Sequence, residues 1–269
     1  MFNEIKPDAI MVEGFELELL NIAEKCIDRG IHIHMDKPAG DNLEQLRRIL
    51  DKAKEKKLVF HMSYMYRYND AVKKMYEIYK SGKIGDIIGI DAMMSTEHPA
   101  DKRKWLENFK GGIMFFLGCH MVDLIYMFAG YPEKIYALNK ISGLDENNAV
   151  DNCFTMLDYG KFAASLRMSS CEVNGYGRRQ FVLQGTKGTV EIHPMKGPTR
   201  MFVSYSDMTQ DNCFANIKEE IDIKQFSGYG RYEDMMIDFA EIVSGKKKNE
   251  FDYEYEYNVQ KLLLEICER

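Results

Sequence analysis

Several features that mark secreted, metal-stapled or membrane proteins are scarce in this sequence. The 269 residues include only six prolines and six cysteines, and no two cysteines form a CxxC pair. Scattered cysteines in a long chain argue against a disulfide framework and against a zinc ribbon, so we expect reduced thiols and a cytoplasmic location. The cysteines are Cys26, Cys119, Cys153, Cys171, Cys213 and Cys267.

Export signals, membrane spans and basic stripes are equally absent from the sequence. The first ten residues, MFNEIKPDAI, lack a positive segment followed by an apolar one. The most apolar stretch, 111–130, is interrupted by Gly118, His120 and Asp123, which does not suit a bilayer-spanning helix. Lys and Arg total 36 against 42 Asp and Glu, for a net charge of -6. We therefore expect neither a membrane nor a nucleic acid as a partner.

The first third of the chain alternates short apolar runs with helical patterns. DAIMV (8–12) precedes a helix pattern that ends at Gly30, and IHIHM (31–35) precedes a second helix that opens at Asp41 with Glu44 three positions later. LVFHM (58–62) completes the series. Strands separated by single helices predict parallel pairing, so residues 1–66 read as the C-terminal half of a Rossmann-like domain.

From Asn69 a third helix runs to Gly82, and the pattern then changes to closely spaced strands. Turn residues in DYGK (158–161) and GTKG (185–188) predict antiparallel hairpins. We expect an α+β domain over 67–250 with a large, mainly antiparallel open sheet, a helix at 231–244 and a separate C-terminal helix within 251–269. The strand candidates are IIGIDAMMS, EKIYALN, DNCFTMLDY, KFAASLRMSS, RRQFVLQ, GTVEIH and RMFVSY.

Two motifs carry residue types suited to catalysis. MDKP (35–38) follows a parallel strand, where open α/β sheets bind ligands, so Lys37 could reach a substrate or cofactor; the alternative is a surface turn ordered by Pro38. GGIMFFLGCHMVD (111–123) places His120 and Asp123 three apart on one helix face, which suits proton transfer. The alternative is that His120 is a hydrogen-bonded core histidine.

Two further features leave their interpretation open. His32 and His34 share one strand face and could chelate a metal, but no third ligand stands at a diagnostic spacing, so we predict no metal site. YMYRYN (64–69) sets Arg67 among aromatic residues. Arg67 is either a substrate contact or a stacked structural arginine.

Together these segments resemble the Gfo/Idh/MocA (glucose-fructose oxidoreductase, inositol dehydrogenase and MocA) family of NAD(P)-dependent oxidoreductases. IHIHMDKP resembles the family's "GKHVxxEKP" stretch, with Asp36 in place of Glu. YRYN, GGIMFFLGCHMVD, FVLQGTKGTVEI and YEDMMIDFAEIVSG resemble later family segments. The resemblance implies a Rossmann domain, a C-terminal domain whose open sheet packs into homodimers or homotetramers, and NAD or NADP as cofactor.

The resemblance also implies roles for individual residues. Lys37 matches a lysine that contacts the substrate hydroxyl and the nicotinamide ribose, and His120 matches the general acid or base, with Asp123 as its possible support. The implied reaction is hydride transfer from a sugar or cyclitol carbon to the nicotinamide. The implied cofactor contacts are Glu13, Gly14, Phe15, Asp36, Lys37 and Pro38. The implied substrate contacts are Arg67, Tyr68, Trp105 and Phe116.

Three departures from the family pattern affect this expectation. No GxGxxG turn precedes DAIMV, so the amides that hold a diphosphate are not in this sequence. Phe116 stands where the family has an aspartate, and Glu13, Gly14, Phe15 and Leu19 replace its "TPNxxH". We expect an amino-terminally truncated family member that binds dinucleotide poorly or not at all, and whether it is active or inactive is left open. The alternative hypothesis is a noncatalytic oligomerising module derived from this family.

Overall fold

The structure is a computed structural model that describes residues 5–209, 217–223 and 232–269. The chain divides into two compact units. Unit 1 comprises residues 1–68 and 227–264, and unit 2 comprises residues 69–226 and 265–269. Cys213 falls outside the described residues, and none of the other five cysteines forms a disulfide.

Unit 1 contains a small parallel sheet. Its strands are β1 (Ala9–Val12), β2 (His32–Met35) and β3 (Phe60–Met62), in the order β1-β2-β3. The crossover helices are α1 (Leu19–Asp28) and α2 (Leu43–Glu55), and each buries an apolar stripe. This arrangement confirms the predicted βαβ series. The strand order runs one way without reversal, so these three strands contain no topological switch point.

One helix start differs from the sequence expectation by a single residue. The expected cap of α2 is Asp41, but the side chain of Asn42 accepts the hydrogen bond from the Gln45 backbone N–H at 3.0 Å. Asn42 has the extended backbone that an N-cap requires, and either side chain can accept this bond. The third helix begins as expected, because Asn69 accepts from the N–H groups of Ala71 and Val72.

Unit 2 is built on an eight-stranded sheet in the order β11-β10-β9-β8-β4-β7-β6-β5. All neighbours are antiparallel except β4 and β7, which are parallel. The helices of unit 2 are α3 (Asp70–Lys80), α4 (Ala100–Trp105) and α5 (Cys119–Ala129). The strands are β4 (Ile87–Met93), β5 (Lys134–Lys140), β6 (Asn152–Asp158), β7 (Ala163–Ser169), β8 (Gln180–Gly185), β9 (Gly188–Ile192), β10 (Met201–Tyr205) and β11 (Glu219–Ile221).

All seven expected strands of the open sheet are present, and both expected hairpin turns join neighbouring strands. The parallel pairing of β4 with β7 and the short strand β11 were not expected. The mixture of a small parallel sheet and a large, mostly antiparallel one confirms the predicted fold class. In the described part of the chain, no helix has the length and apolarity needed to cross a bilayer.

The two faces of the large sheet differ in burial. Along β6, Cys153, Thr155 and Leu157 are buried, whereas Phe154 and Met156, which point to the other face, are about half exposed. Leu138 of β5 pairs with Phe154 and is 60% exposed. One face therefore packs into the core of unit 2 and the other presents apolar side chains at its surface.

Two C-terminal helices belong wholly or mostly to unit 1, namely α6 (Glu233–Val243) and α7 (Tyr253–Cys267). The expected division placed α6 in the second domain and α7 in a separate segment. Buried polar contacts between residues far apart in sequence explain the different grouping: Arg67 pairs with Glu256, and the Tyr68 hydroxyl donates to Asp238 at 2.7 Å. Such long-range pairs have no local signature in the sequence.

Candidate active site

Unit 1 has a cleft of about 430 Å³ at the carboxyl ends of its three strands. Each strand contributes residues at or just beyond its end: Glu13 follows β1, Asp36 and Lys37 follow β2, and Ser63 follows β3. His34 of β2 also lines the cleft. Parallel strands bring their carboxyl ends to one edge, which is where open α/β sheets bind ligands. The MDKP motif therefore lies beside a cavity of ligand size.

The MDKP loop is ordered by contacts from both sides. The Asp36 N–H donates to the Val12 carbonyl at 2.8 Å, and the Asp36 carboxylate accepts from the Lys37 N–H at 2.8 Å. Beyond the cis peptide bond to Pro38, the buried Gln260 amide accepts from the Ala39 N–H and donates to the Gly40 carbonyl. These contacts hold Asp36 and Lys37 in place at the cleft.

The predicted cofactor contacts after β1 are only partly at the cleft. Glu13 lines it, whereas Phe15 does not and is 40% exposed. Nothing lies within 4 Å of the position where a side chain on Gly14 would begin. Of the six predicted cofactor contacts, the cleft lining includes Glu13, Asp36 and Lys37.

The predicted proton-transfer pair lies in unit 2. A π-helical turn, Met114–Gly118, leads directly into α5, whose second and fifth residues are His120 and Asp123. His120 is 4% exposed and Asp123 is fully buried. π-helical turns occur often at functional sites, but burial also suits the structural alternative for His120. Its catalytic role stays a prediction.

Arg67 has the geometry of the structural alternative that the sequence left open. Its guanidinium donates to both carboxylate oxygens of Glu256, at 2.6 and 3.0 Å, and both side chains are buried. The same guanidinium stacks over the ring of Phe251, with its carbon 4.0 Å from the ring centre. Tyr68 is likewise buried and donates to Asp238. Two of the four predicted substrate contacts, Arg67 and Tyr68, thus have protein partners inside unit 1.

The other two predicted substrate contacts lie together in unit 2. The rings of Trp105 and Phe116 meet edge to face with centres 5.0 Å apart. The Lys102 ammonium lies 3.2 Å from the centre of the Trp105 ring and 4.2 Å from that of Phe116. An aromatic pair with a cation above it is a surface that could contact a sugar ring, although Phe116 lacks the carboxylate of the family pattern.

Unit 1 contains a buried pair of histidines, His34 and His61, that the sequence does not lead us to expect. The register of β2 and β3 sets His34 opposite His61, and their Nδ1 atoms lie 2.8 Å apart. The signal in the sequence is a histidine next to the final methionine in each of two neighbouring parallel strands, IHIHM and LVFHM. His32 does not share this environment, because its Nδ1 accepts from the Val59 N–H at 2.8 Å. Among the described residues, no three metal-ligating side chains cluster.

Comparison with known protein families identifies part of the chain. The family model of the GFO/IDH/MocA C-terminal domain matches residues 72–191. This segment matches the C-terminal domain of the GFO/IDH/MocA family. The match covers β4 to β9 and the π-helical turn before α5. The resemblance to Gfo/Idh/MocA oxidoreductases that was read from the sequence is confirmed.

Curated relatives of the Gfo/Idh/MocA type match over much of the chain. Trans-1,2-dihydrobenzene-1,2-diol dehydrogenase of Mus musculus is 25% identical, over 66% of this chain and 53% of its own. D-xylose 1-dehydrogenase (NADP(+)) 2 of Haloferax volcanii is 24% identical, over 62% of this chain and 50% of its own. The chain spans about half the length of these curated relatives.

Solved structures share the fold over almost the whole chain. UDP-N-acetylglucosamine 3-dehydrogenase from Acidithiobacillus ferrooxidans superposes with a TM-score of 0.79 at 14% identity, covering 97% of this chain and 77% of its own. An oxidoreductase from Thermotoga maritima gives a TM-score of 0.75 at 19% identity, with 97% and 76% coverage. At these identities the likeness establishes the fold alone.

Proposed function

We propose that this chain carries the reacting end of an NAD(P)-dependent oxidoreductase that acts on a hydroxyl of a sugar or cyclitol. The observation that carries the proposal is the cleft at the carboxyl edge of the parallel sheet, where Lys37, Asp36 and Glu13 meet. The named activities of the relatives, which include a xylose dehydrogenase and a scyllo-inositol dehydrogenase, support a polyol as the substrate class. We place this activity in the cytoplasm, in keeping with the absence of disulfides among the described cysteines.

The residues present fit one end of a nicotinamide cofactor and not the other. The cleft offers an ammonium group, carboxylates and a serine hydroxyl, which suit the hydroxyls of the nicotinamide ribose. The turns that follow β1 and β2, EGFELE and DKPAGDN, lack the glycine spacing that lets backbone amides approach a diphosphate. Lys37, Asp36 and Glu13 would therefore hold the nicotinamide ribose, while neither of these two turns offers a diphosphate site.

The proposed chemistry uses two side chains of this protein, a lysine ammonium group and a histidine that accepts a proton. When bound, the nicotinamide supplies the acceptor for a hydride from the substrate carbon. In unit 1, the Lys37 ammonium has the role of orienting a substrate hydroxyl and polarising its oxygen. In unit 2, His120, with Asp123 one helical turn away on α5, has the role of proton acceptor. Trp105 and Phe116 provide an apolar surface for the sugar ring.

A calorimetric titration of the 269-residue chain with NADH and with NADPH tests this proposal. Binding at cofactor concentrations up to the millimolar range that weakens at least tenfold in Lys37→Ala supports it. Lys25→Ala is the control that keeps the affinity, because Lys25 is an exposed lysine on α1 of the same unit. Binding then justifies assays with sugars and cyclitols, in which His120→Ala loses turnover and keeps cofactor affinity. The absence of heat with both cofactors rejects the cofactor proposal for this chain.

A second candidate function is a noncatalytic oligomerising module. The observation that favours it is the exposed apolar face of the large sheet, where Tyr136, Leu138, Phe154 and Met156 are each about half exposed or more. A contiguous exposed apolar patch is typical of an interface between proteins. We propose that this face packs against a second copy of the chain in a homodimer or homotetramer, with or without catalysis.

Light scattering over a wide range of protein concentrations tests the second candidate. A mass of two or four chains, combined with no cofactor binding, supports the noncatalytic module. The same mass with micromolar cofactor binding supports an oligomeric enzyme. A monomer at every concentration rejects association through this face.

A further inference from the structure

A chain of hydrogen bonds runs through the interior of unit 1. Nδ1 of His34 lies 2.8 Å from Nδ1 of His61, and Nε2 of His61 lies 2.9 Å from the Tyr68 hydroxyl oxygen. The Tyr68 hydroxyl donates to one carboxylate oxygen of Asp238 at 2.7 Å, and the Lys247 ammonium donates to the other. His34, His61, Tyr68 and Asp238 are all more than nine-tenths buried.

The Asp238 carboxylate fixes the direction of every hydrogen bond between His34 and Asp238. A carboxylate can only accept, so the Tyr68 hydroxyl must donate its single proton to Asp238. The Tyr68 oxygen can then only accept, which places the proton of His61 on Nε2. A neutral imidazole carries one N–H, so Nδ1 of His61 accepts, and the donor to it is Nδ1–H of His34.

Both histidines are neutral, as this argument requires. Burial, aided by the neighbouring His61, lowers the pKa of His34 to about 3. Burial also lowers the pKa of His61, and nearby Arg67 and Lys247 act in the same direction, against the opposing Asp238. Burial disfavours the ionised form of Asp238, but its bonds with His61, Lys247 and Tyr68 outweigh burial and hold its pKa below the ordinary value.

His34 connects this chain to the cleft. Its ring lies against Phe239 and His61, and the residue lines the cleft together with Asp36, Lys37 and Ser63. Nδ1 is bonded to His61, and among the described residues Nε2 of His34 makes no hydrogen bond. With the proton on Nδ1, Nε2 carries a lone pair.

We propose that His34 presents Nε2 to the cleft as a neutral hydrogen-bond acceptor and binds a hydroxyl group of a polyol there. The hydroxyl belongs either to the nicotinamide ribose or to the sugar or cyclitol substrate. An uncharged acceptor requires a ligand atom that carries a proton, and therefore disfavours a carboxylate or phosphate oxygen at this point. The choice of a polyol rests on the proposed function, whereas the direction of the hydrogen bonds, and with it the lone pair on Nε2 of His34, rests on Asp238.

Nitrogen NMR of the histidine side chains in the ligand-free protein tests the direction. The expected spectrum shows His34 protonated at Nδ1 alone and His61 protonated at Nε2 alone. His32 is an internal reference, because its Nδ1 accepts from the Val59 N–H and its proton must be on Nε2. A His34 ring that carries its proton on Nε2, or on both nitrogens, overturns the proposal.

Asp238→Asn provides a reversal test. Lys247 donates toward position 238, so it orients the amide oxygen to itself and leaves the amide N–H₂ facing Tyr68. Tyr68 then donates to His61, His61 donates to His34, and the His34 proton moves to Nε2. Lys247→Met is the control that keeps the carboxylate and the original tautomers. An unchanged His34 tautomer in folded Asp238→Asn overturns the proposal, and if this variant does not fold, the spectrum of the unaltered protein still decides.

Additions of NADPH, D-xylose and myo-inositol, each alone and at up to high millimolar concentration, test the ligand. A shift of the His34 Nε2 resonance with NADPH identifies the ribose as the hydroxyl source, and a shift with either polyol identifies the substrate. No shift with any probe overturns the hydroxyl site. If calorimetry shows NADPH binding but no probe shifts the His34 resonance, the proposed function is retained and this site is rejected. If a polyol shifts the His34 resonance but NADPH does not bind, the site is retained and the proposed function is rejected.

Discussion

The two units of this chain are stabilised in different ways. Unit 1 has three short strands, and buried polar pairs such as Arg67 with Glu256 join its N-terminal segment to helices far away in sequence. Unit 2 is built on eight paired strands, and Gly112 allows its backbone to approach the Val150 carbonyl closely. Unit 1 therefore relies on side-chain pairs between distant parts of the sequence, whereas unit 2 relies on a long series of paired strands. The exposed apolar face of the unit 2 sheet is available for contact with another protein chain.

The largest expected effect comes from breaking the buried ion pair of unit 1. Glu256→Gln leaves the Arg67 guanidinium buried without its carboxylate, so we expect a loss of about 3–5 kcal/mol in the free energy of unfolding, measured by urea denaturation. Glu254→Gln is the matched control, two residues away on the same helix. Its pair with Arg47 is largely exposed, so its cost stays within about 1 kcal/mol. Equal losses in the two variants would show that burial is not what matters.

The corresponding weak point of unit 2 is backbone approach at Gly112. Its φ of 47° lies in the left-handed region, and a Cβ there would overlap the Val150 carbonyl. Gly112→Ala should therefore cost about 3 kcal/mol in thermal or urea unfolding. Gly82→Ala has a similarly unfavourable φ of 73° but open space around it, so it should cost only about 1 kcal/mol. A smaller loss at Gly112 than at Gly82 would contradict this assignment.

The histidine pair makes unit 1 sensitive to acid. The pKa of His34 is about 3 in the folded chain and near 6.5 when unfolded, so the unfolded state binds the extra proton between these values. The contribution of neutral His34 to the free energy of unfolding is therefore fully present above pH 6.5 and is lost as the pH decreases. This residue lowers the free energy of unfolding by up to about 1.4 kcal/mol per pH unit. His34→Phe should remove that slope in urea titrations at pH 7 and pH 5. Parallel pH dependences in the two proteins would contradict the buried neutral histidine.

The smallest effect on folding is expected on the exposed face of unit 2. Leu138→Lys and Phe154→Lys alter side chains that are more than half exposed, so each should change the free energy of monomer unfolding by about 0.5 kcal/mol or less. If this face joins two copies, both variants should lower the mass measured by light scattering. Lys140→Ala, at the end of the same strand as Leu138, should not. An unchanged mass in both lysine variants would place the interface elsewhere.

Local patterns were sufficient to predict most elements of the fold. The two strand-like segments DNCFTMLDY and KFAASLRMSS, joined by the turn residues of DYGK, predict the hairpin of β6 and β7 that the structure shows. The helix caps at Asn69 and near Asn42 are also local signals. The parallel pairing of β4 with β7 was beyond such reasoning, because neither strand carries a mark of which distant strand lies beside it.

The candidate site was predictable where it depends on strand ends. MDKP could be placed at the edge of the sheet because a parallel strand precedes it, and Lys37 and Asp36 do line the cleft. The roles of Arg67 and Tyr68 were not decidable in advance, since their partners Glu256 and Asp238 are far along the chain. The catalytic assignments of Lys37 and His120 stay predictions.

The central position of β4 has a consequence for the order in which the nascent chain can fold. Ile90 of β4 pairs with Ala164 on one side and with Leu183 on the other, and both partners are synthesised much later. Until they emerge from the ribosome, β4 has no neighbour in its own sheet, and its apolar side chains and backbone amides are available to other chains. We therefore expect slow folding limited by this non-local closure, and aggregation during synthesis when β7 or β8 is delayed or damaged.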